Sequence, residues 1–529
     1  MKSERKLSKI NYTLSIHTKP DANFTISANS KIVKFVEFEK LVKKRYFSFS
    51  TDDIFHREYE EIIKPQLIPF SSEILKINFC WLNELQETVL INNFPNAKIE
   101  RKKHHVSHAY SVYGFTAPNE GDLIISFDGG GDEDDYFKIY YYFQKKIILL
   151  ENISLNLGTP YRILGMLSEE IKSQPIFEYE SNQHLSGKIM GLAPLGKVVS
   201  EYQKNLAEFY ETFLSTNISI KDHLETLLNK TKLKCNSSFK LEKISARDIL
   251  QTSQFTFEQL FLKHTNKYLL DPKYKRILLT GGCALNVKLN TRIFEEYSKE
   301  VFVSPVPNDC GISIGAALSD MDVVNISQIN DAFIGSEVTD NFDFPNYVKK
   351  YHGRKIGINI LAKYISEGAV VGTIIGNLEA GPRALGNRSL LANPLIKGMK
   401  DKLNNIKDRE FFRPIAPIVS LEVRNKYFHN SPLSPFMSFA PIIKEEYRQV
   451  LKEIVHFDGS CRIQTVDESN ATLHNLLKEF GILTGFEILI NTSFNSKGKP
   501  ILNELSEAFE LLNNSAMDGL FINGYYFSK

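Results

Sequence analysis

Two histidines and two aspartates are the strongest candidates for a metal site. His104 and His108 lie four residues apart in HHVSHA, so on a helix both imidazoles share one face and reach one ion. Asp128 ends an apolar run and enters three glycines, and Asp309 lies where another such run meets a Gly-containing turn. Mixed nitrogen and oxygen ligands suit iron, zinc or manganese better than calcium. We predict one divalent ion here, against the alternative of surface histidines and a simple Asp-Gly turn.

Glycine pairs mark two places where the backbone can approach a nucleotide. Gly129 and Gly130 directly follow Asp128, and Gly281 and Gly282 precede a run compatible with a helix. A helix N-terminus favours anions, which makes the second pair a candidate for phosphate or ribose contacts. The segment SGKIMGLAP at residues 186–194 is a candidate cleft-lining loop, although it is equally typical of a helix-breaking turn.

Basic residues in the C-terminal third of the chain lie in turn-like contexts rich in glycine and proline. Arginine binds phosphate oxygens in a forked geometry, so such a concentration predicts a phosphorylated substrate. The alternative is ordinary solvated surface charge. The residues are Arg383, Arg388, Lys407, Arg409, Arg413 and Arg462.

The elements that would position these side chains belong to an α/β protein. The N-terminal part predicts two three-stranded antiparallel meanders, each followed by helical sequence, and Asn29-Ser30 supplies a tight turn in the first. A repeated meander is typical of the duplicated ribonuclease-H-like architecture of the actin, hexokinase and Hsp70 class, which binds ATP between its halves. The predicted strands are 12–17, 22–28 and 31–37, then 122–127, 137–143 and 146–153.

A polar stretch at residues 336–355 interrupts this periodicity and predicts a domain boundary, giving domains 1–345 and 346–529. The second domain is predicted to be mixed α/β. Its predicted elements are a helix at 360–367 and strands at 370–375, 414–421, 436–443 and 486–490.

Bulk composition restricts the environment and the partners. A chain of 529 residues is too long for one core, which supports two domains. Lys and Arg number 64 against 62 Asp and Glu, so no broad positive surface predicts a nucleic-acid or membrane partner. The five cysteines form no C-x-x-C pair, and the N-terminus lacks the apolar core of a secretory signal. We therefore expect a cytoplasmic protein, and the oligomeric state stays open.

Taken in order, the segments resemble the O-carbamoyltransferase family of the nodulation-factor and tobramycin type. The resemblance implies an actin-like N-terminal domain, similar to the tRNA threonylcarbamoyl-transferase fold, and a YrdC-like C-terminal domain. It also implies that carbamoyl phosphate and ATP give a carbamoyl-adenylate, whose carbamoyl group passes to a hydroxyl of a small molecule or glycan. The matching segments are HHVSHA, FDGGGD, GKIMGLAP, LLTGGCALNVKLN, SPVPNDCGISIGAAL, GPRALGNRSLLANP, IKDREFFRPIAP, DGSCRIQTV and INTSFNSKGKPI.

The resemblance also assigns residues to roles. His104, His108, Asp128 and Asp309 fall on the family's metal ligands, usually iron, and Gly281, Gly282 and Asn286 on its nucleotide-binding segment in the first domain. In the second domain Lys407 and Arg413 are expected to be catalytic. The residues expected to bind carbamoyl phosphate and Mg²⁺-ATP are Arg383, Arg388, Lys407, Arg409, Arg413, Arg462, Asn491 and Ser493.

Two departures from the family pattern bear on function. Asn377 lies in the segment where the family commonly has an arginine, and Pro20-Asp21 occupies the place of a His-Asp pair. We predict His17, three residues earlier, as the general base, against the alternative of a structural histidine that caps a turn. Two rival functions are a threonylcarbamoyl-type tRNA modification enzyme, which the balanced charge disfavours, and a catalytically impaired nucleotide-binding relative.

Overall fold

The computed structural model describes residues 10–132, 135–171, 183–213, 219–329 and 331–529. The strands of these residues form three sheets, of five, five and eight strands, in an α/β arrangement. Helices cover the sheets, and apolar side chains fill the layers between them. The predicted α/β class is confirmed.

The first sheet has the strand order β3-β2-β1-β4-β5, in which the meander is antiparallel and the last two strands are parallel to β1. Asn29 and Ser30 form the tight turn of the second hairpin, with φ of 49° and 62°, as a two-residue turn of this kind requires. The strands are β1 (Tyr12–His17), β2 (Asn23–Ala28), β3 (Lys31–Glu37), β4 (Ile74–Phe79) and β5 (Lys98–Arg101).

The second sheet repeats the first with the order β8-β7-β6-β9-β10 and the same strand directions. If the strands of each sheet are numbered 1 to 5 along the chain, both sheets have the same spatial order, 3-2-1-4-5. This shared order is the duplication that the two meanders predict. The strands are β6 (Asp122–Phe127), β7 (Phe137–Phe143), β8 (Lys146–Ile153), β9 (Arg276–Thr280) and β10 (Glu300–Val303).

Two buried helices between these sheets carry or adjoin the candidate site. α5 (His104–Val112) and α12 (Ile312–Leu318) pack so closely that a Cβ on Gly315 would lie 1.7 Å from the carbonyl oxygen of Ser107. Only glycine permits this approach. The other helices of this half are α1 (Phe38–Val42), α2 (Ile54–Glu58), α3 (Lys64–Leu67), α4 (Glu84–Asn93), α6 (Gly158–Leu164), α7 (Leu185–Leu192), α8 (Ser200–Thr212), α9 (Ile220–Thr231), α10 (Lys243–Leu269) and α11 (Val287–Tyr297).

The third sheet has the order β11-β18-β17-β12-β13-β16-β14-β15 and mixes parallel and antiparallel pairs. Its strands are β11 (Arg354–Lys355), β12 (Val371–Ile374), β13 (Arg388–Ala392), β14 (Ala416–Ser420), β15 (Gln464–Val466), β16 (Ile488–Ser493), β17 (Gly519–Ile522) and β18 (Tyr525–Ser528). The helices are α13 (Phe344–Lys350), α14 (Ile358–Ser366), α15 (Met399–Ile406), α16 (Arg424–Tyr427), α17 (Glu445–Arg448), α18 (Ala471–Thr484) and α19 (Leu505–Asn514).

The structure corrects one predicted strand and adds another. Residues 436–443 make only isolated bridges, because Pro441 cannot donate to a ladder and Met437 has a φ of 58°. Arg388–Ala392, interpreted from sequence as part of a turn-rich segment, is instead a central strand.

The predicted division at residues 345 and 346 falls inside α13, whose Tyr347 stacks on Phe509 with 4.7 Å between ring centroids. This division stays a prediction. Among the described residues, no helix combines the length and the apolar composition needed to cross a bilayer.

A candidate active-site cleft with two clusters

A cleft of about 1030 Å³ is lined by residues from both halves of the chain. The lining residues include Asp128 and Asp309 from the first half of the chain and arginines such as Arg383 and Arg462 from the second. Two groups of side chains within it differ sharply in chemistry. We call them the His–Asp cluster, which is His104, His108, Asp128 and Asp309, and the cationic cluster, which is Arg383, Lys407, Arg409, Arg413 and Arg462.

The His–Asp cluster gathers four ligand atoms from three elements. One ligand atom from each residue lies within 4.8 Å of all the others. His108 Nε2 is 3.4 Å from Asp128 Oδ2 and 3.3 Å from Asp309 Oδ1, and the two histidine Nε2 atoms are 3.1 Å apart. A tetrahedral ion with ligand bonds of about 2.1 Å separates its ligands by about 3.4 Å. The spacing therefore fits a single transition-metal ion.

Local structure explains how the two histidines are presented. α5 begins at His104, whose backbone N–H donates to Asp132 Oδ2 at 2.6 Å, and the four-residue spacing places His108 one turn later. The intervening His105 is not available as a ligand, because its ring contacts Ser126 Oγ at 2.7 Å and the carbonyl oxygen of Asp135 at 3.0 Å.

The electrostatics of the His–Asp cluster favour a bound cation. Burial would lower the pKa of His108, but Asp128 and Asp309 outweigh burial and raise that pKa to about 9. Burial would likewise raise the pKa of Asp309, but His104, His108 and His17 lower it. Asp309 Oδ1 is buried and accepts no hydrogen bond from the described residues. These residues fit a divalent ion, which would supply the charge that balances two carboxylates.

His17 lies next to the His–Asp cluster but is not exposed to the cleft. Its Nε2 lies 3.7 Å from Asp309 Oδ2, while its side chain is only 1% exposed and does not line the cleft. Burial lowers the pKa of His17 to about 4, so the ring accepts a proton poorly. The structure does not favour the predicted role of His17 as base.

The glycine-rich segments divide into cleft-lining and structural residues. Gly129, Gly130 and Gly282 line the cleft, as does Asn286, which caps α11 by accepting from the backbone N–H of Leu289. Gly281 does not line it. Its φ is 88°, and a Cβ there would lie 2.1 Å from the carbonyl oxygen of Phe127. Gly281 therefore allows close packing between β6 and the loop after β9 rather than contact with a ligand.

The cationic cluster brings five basic side chains to one wall of the cleft. No carboxylate oxygen of the described residues lies within 4.0 Å of their charged nitrogens. Burial lowers the pKa of Arg383 to about 10 and that of Arg409 to about 9, and Arg413 adds to both effects. Burial also lowers the pKa of the other three members, Lys407, Arg413 and Arg462.

Neutral groups hold several of these cations in place. Lys407 Nζ donates to Ser493 Oγ and to the carbonyl oxygen of Asn495, both at 3.1 Å, and Arg409 Nε donates to Asn404 Oδ1 at 2.6 Å. Asn491 lines the same wall and donates to Gln464 Oε1 at 2.7 Å. Because these contacts carry no negative charge, the wall is arranged to bind an anion.

Arg388 is a correction to the predicted substrate site. It lies on the central strand β13, is fully buried and does not line the cleft. Its guanidinium donates to the carbonyl oxygens of Ile375 at 3.0 Å and Gly376 at 2.8 Å. Arg388 therefore supports the backbone beneath the cleft. Asn377, the residue that departs from the family arginine, does not line the cleft either.

Comparison with known proteins gives matches over most of the chain. The family model for the carbamoyltransferase N-terminus matches residues 11–318, and the model for the carbamoyltransferase C-terminus matches residues 362–529. The chain belongs to the carbamoyltransferase family.

Individual relatives are similar at moderate identity. The nodulation protein NolNO of Sinorhizobium fredii is 29% identical over 82% of this chain and 64% of its own length. NolO of Bradyrhizobium diazoefficiens is 28% identical over 80% of this chain and 78% of its own. The 3'-hydroxymethylcephem-O-carbamoyltransferase of Amycolatopsis lactamdurans is 35% identical over 45% of each chain. Among solved structures, HypF of T. kodakarensis is 15% identical over 59% of this chain and 48% of its own, with a TM-score of 0.32.

In this family member, the sequence pattern missed cleft residues that come from loops of the first half. Arg45 lies in the loop after α1, donates to the Tyr46 hydroxyl at 2.8 Å and lines the cleft close enough to affect the pKa of Arg413. Its only sequence signal is the basic run KKR at residues 43–45. Asp21, noted from the sequence only as part of the departure from the family's His-Asp pair, also lines the cleft, in the loop between β1 and β2.

Proposed function

We propose that the protein is an ATP-dependent O-carbamoyltransferase that activates a carbamoyl group at the cationic cluster and transfers it at the His–Asp cluster. Membership of the carbamoyltransferase family supports the reaction class. The observation that carries the proposal is one cleft lined both by five basic residues that have no carboxylate of the described residues within 4.0 Å and by residues of a cluster suited to a metal ion. In this proposal the first half is the actin-like transfer domain and the second a YrdC-like activating domain.

The activation step requires two strongly anionic substrates to approach each other. Carbamoyl phosphate is a small dianion and ATP carries a triphosphate, so several cations must offset their repulsion, with Mg²⁺ on ATP. Lys407 and Arg413 would contact the reacting phosphates, and Arg383, Arg409 and Arg462 would bind the remaining oxygens. Asn491 and Ser493, on β16 at the same wall, would orient the carbamoyl amide. Water first cleaves carbamoyl phosphate to carbamate and phosphate, and a carbamate oxygen then attacks the α-phosphate of ATP and displaces pyrophosphate. The products of these two steps are a carbamoyl-adenylate, phosphate and pyrophosphate.

Transfer would take place at the His–Asp cluster, where His104, His108, Asp128 and Asp309 would hold one divalent ion, proposed to be Fe²⁺. When bound, such an ion would supply positive charge that stabilises charge on the carbamoyl oxygen. Gly129, Gly130, Gly282 and Asn286 would allow the nucleotide to approach the backbone. The acceptor is a hydroxyl on a small molecule or glycan.

Two measurements test this function. The first is pyrophosphate release from ATP, which we expect only when carbamoyl phosphate is present. The second is mass spectrometry of an extract of the source organism incubated with enzyme, ATP and carbamoyl phosphate, which should reveal a compound that gains one carbamoyl group. Pyrophosphate release at the same rate with and without carbamoyl phosphate would contradict the proposal.

A further inference from the structure

The structure assigns to Asp21 the removal of the proton from the acceptor hydroxyl. This inference rests on the proposed function and adds to it the identity of the general base. Asp21 follows β1 in the loop that leads to β2, and it lines the cleft beside Asp309.

Hydrogen bonds hold Asp21 against the His–Asp cluster. Asn23 Nδ2 donates to the backbone carbonyl oxygens of both Asp21 and Asp309, at 2.7 and 2.8 Å. Asn308 Nδ2 donates to Asp21 Oδ2 at 2.7 Å. One carboxylate oxygen is thus fixed by the residue next to Asp309. The other, Oδ1, accepts no hydrogen bond from the described residues and is left to receive the acceptor hydroxyl.

The charged groups around the Asp21 carboxylate are other acids, and it forms no ion pair with a described basic residue. No Lys or Arg nitrogen of the described residues lies within 4.0 Å of its carboxylate. Burial, together with Glu39, Asp309 and Glu37, raises the pKa of Asp21 well above its ordinary value, and the Asn308 hydrogen bond opposes this. Further titratable neighbours among the described residues are the Tyr46 hydroxyl and the Cys310 thiol.

The backbone of Asp21 adopts a conformation that is uncommon for its residue type, as residues at functional sites often do. Its φ of 64° lies in the left-handed region, which is uncommon for residues other than glycine. Such conformations persist where surrounding contacts impose them, and here the Asn23 and Asn308 hydrogen bonds do so. His17, the base that the sequence suggested, lacks this access because it does not line the cleft.

In the proposed step the acceptor oxygen attacks the carbamoyl carbon of the adenylate as its proton passes to Asp21 Oδ1. The bond from the carbamoyl carbon to the phosphate oxygen breaks, and its electron pair leaves with AMP. The products are the O-carbamoylated acceptor, AMP and a protonated Asp21, which returns its proton to water.

The test uses two substitutions of the full-length protein, with ethylene glycol at molar concentration as a hydroxyl probe. Asp21→Asn removes the base and keeps the shape, while Asp21→Gly removes the side chain at a φ that glycine adopts freely. We expect the rate of AMP release to fall by about 10²–10⁴-fold in both. Pyrophosphate release and bound metal should match the wild type. Formate should restore AMP release to Asp21→Gly, a rescue that a purely structural role would not give.

Glu39→Gln is the matched control for the loss of a neighbouring negative charge, because Glu39 is another carboxylate of the same cleft and contributes to the raised pKa of Asp21 without being the proposed base. Among the described residues its Oε2 accepts from the Tyr46 backbone N–H, a bond that glutamine retains. We expect it to release AMP within about threefold of the wild type. AMP release by Asp21→Asn at a near wild-type rate would overturn the assignment. So would a wild type that releases pyrophosphate but no AMP. Absence of carbamoyl phosphate-dependent pyrophosphate release in the wild type would instead refute the proposed function.

Discussion

Replacing Arg383 with methionine is expected to stabilise the ligand-free protein and to weaken its binding of pyrophosphate. Burial, with Arg413 and Arg45, lowers the pKa of Arg383 from its ordinary value to about 10. At pH 7.5 the guanidinium is charged in both the folded and the unfolded states. The folded state therefore carries the full free-energy cost of the buried charge at pH values below 10, and this cost falls away only as the pH rises from 10 through the ordinary pKa of arginine.

The pKa difference sets the size of the effect. It corresponds to about 3 kcal/mol, which partial exposure of the side chain reduces to about 1–2 kcal/mol. Arg383 makes no hydrogen bond to the described residues, so methionine leaves no partner unsatisfied. The melting temperature should rise by about 2–6 °C. Loss of one charge-assisted contact should weaken pyrophosphate binding about 10–100-fold.

The assay is thermal unfolding with and without pyrophosphate, and Arg388→Met is the control. Burial also lowers the pKa of Arg388 to about 10, but its guanidinium satisfies the carbonyl oxygens of Ile375 and Gly376. Each carbonyl left without a donor costs about 1–3 kcal/mol, so Arg388→Met should lower the melting temperature. Pyrophosphate should still raise the melting temperature of this variant as much as that of the wild type. The reasoning is refuted if Arg383→Met destabilises the protein and retains the full pyrophosphate shift.

Three further outcomes are expected. Replacing His104 and His108 together with alanine should remove bound metal from the purified protein while pyrophosphate release continues; stoichiometric metal in the double variant would contradict the ligand assignment. Arg413→Ala should reduce pyrophosphate release by about 10²-fold with metal retained, and unchanged release would refute its role. Arg276→Met should lower the free energy of unfolding by about 3–5 kcal/mol, measured with urea, because it leaves Asp122 buried without its bidentate partner; a smaller loss would show that water reaches that carboxylate.

The sequence alone determined the features that depend on local patterns. The strands of both meanders and the turn at Asn29-Ser30 follow from clustered β-branched and aromatic residues and from turn chemistry, which act between near neighbours. The spacing of His104 and His108 likewise determines their shared face once α5 forms. These predictions hold because no distant contact is needed to specify them.

Only the tertiary structure decided which polar residues face the cleft. Arg383 and Arg388 share one motif, yet Arg388 lies on a strand at the centre of the third sheet and is buried, whereas Arg383 precedes that strand and stays in the cleft. Asp21 and Arg45 enter the cleft from loops far away in the sequence. Burial and long-range strand pairing determine these positions. The elements that surround each side chain are distant in sequence, so a local pattern does not predict them.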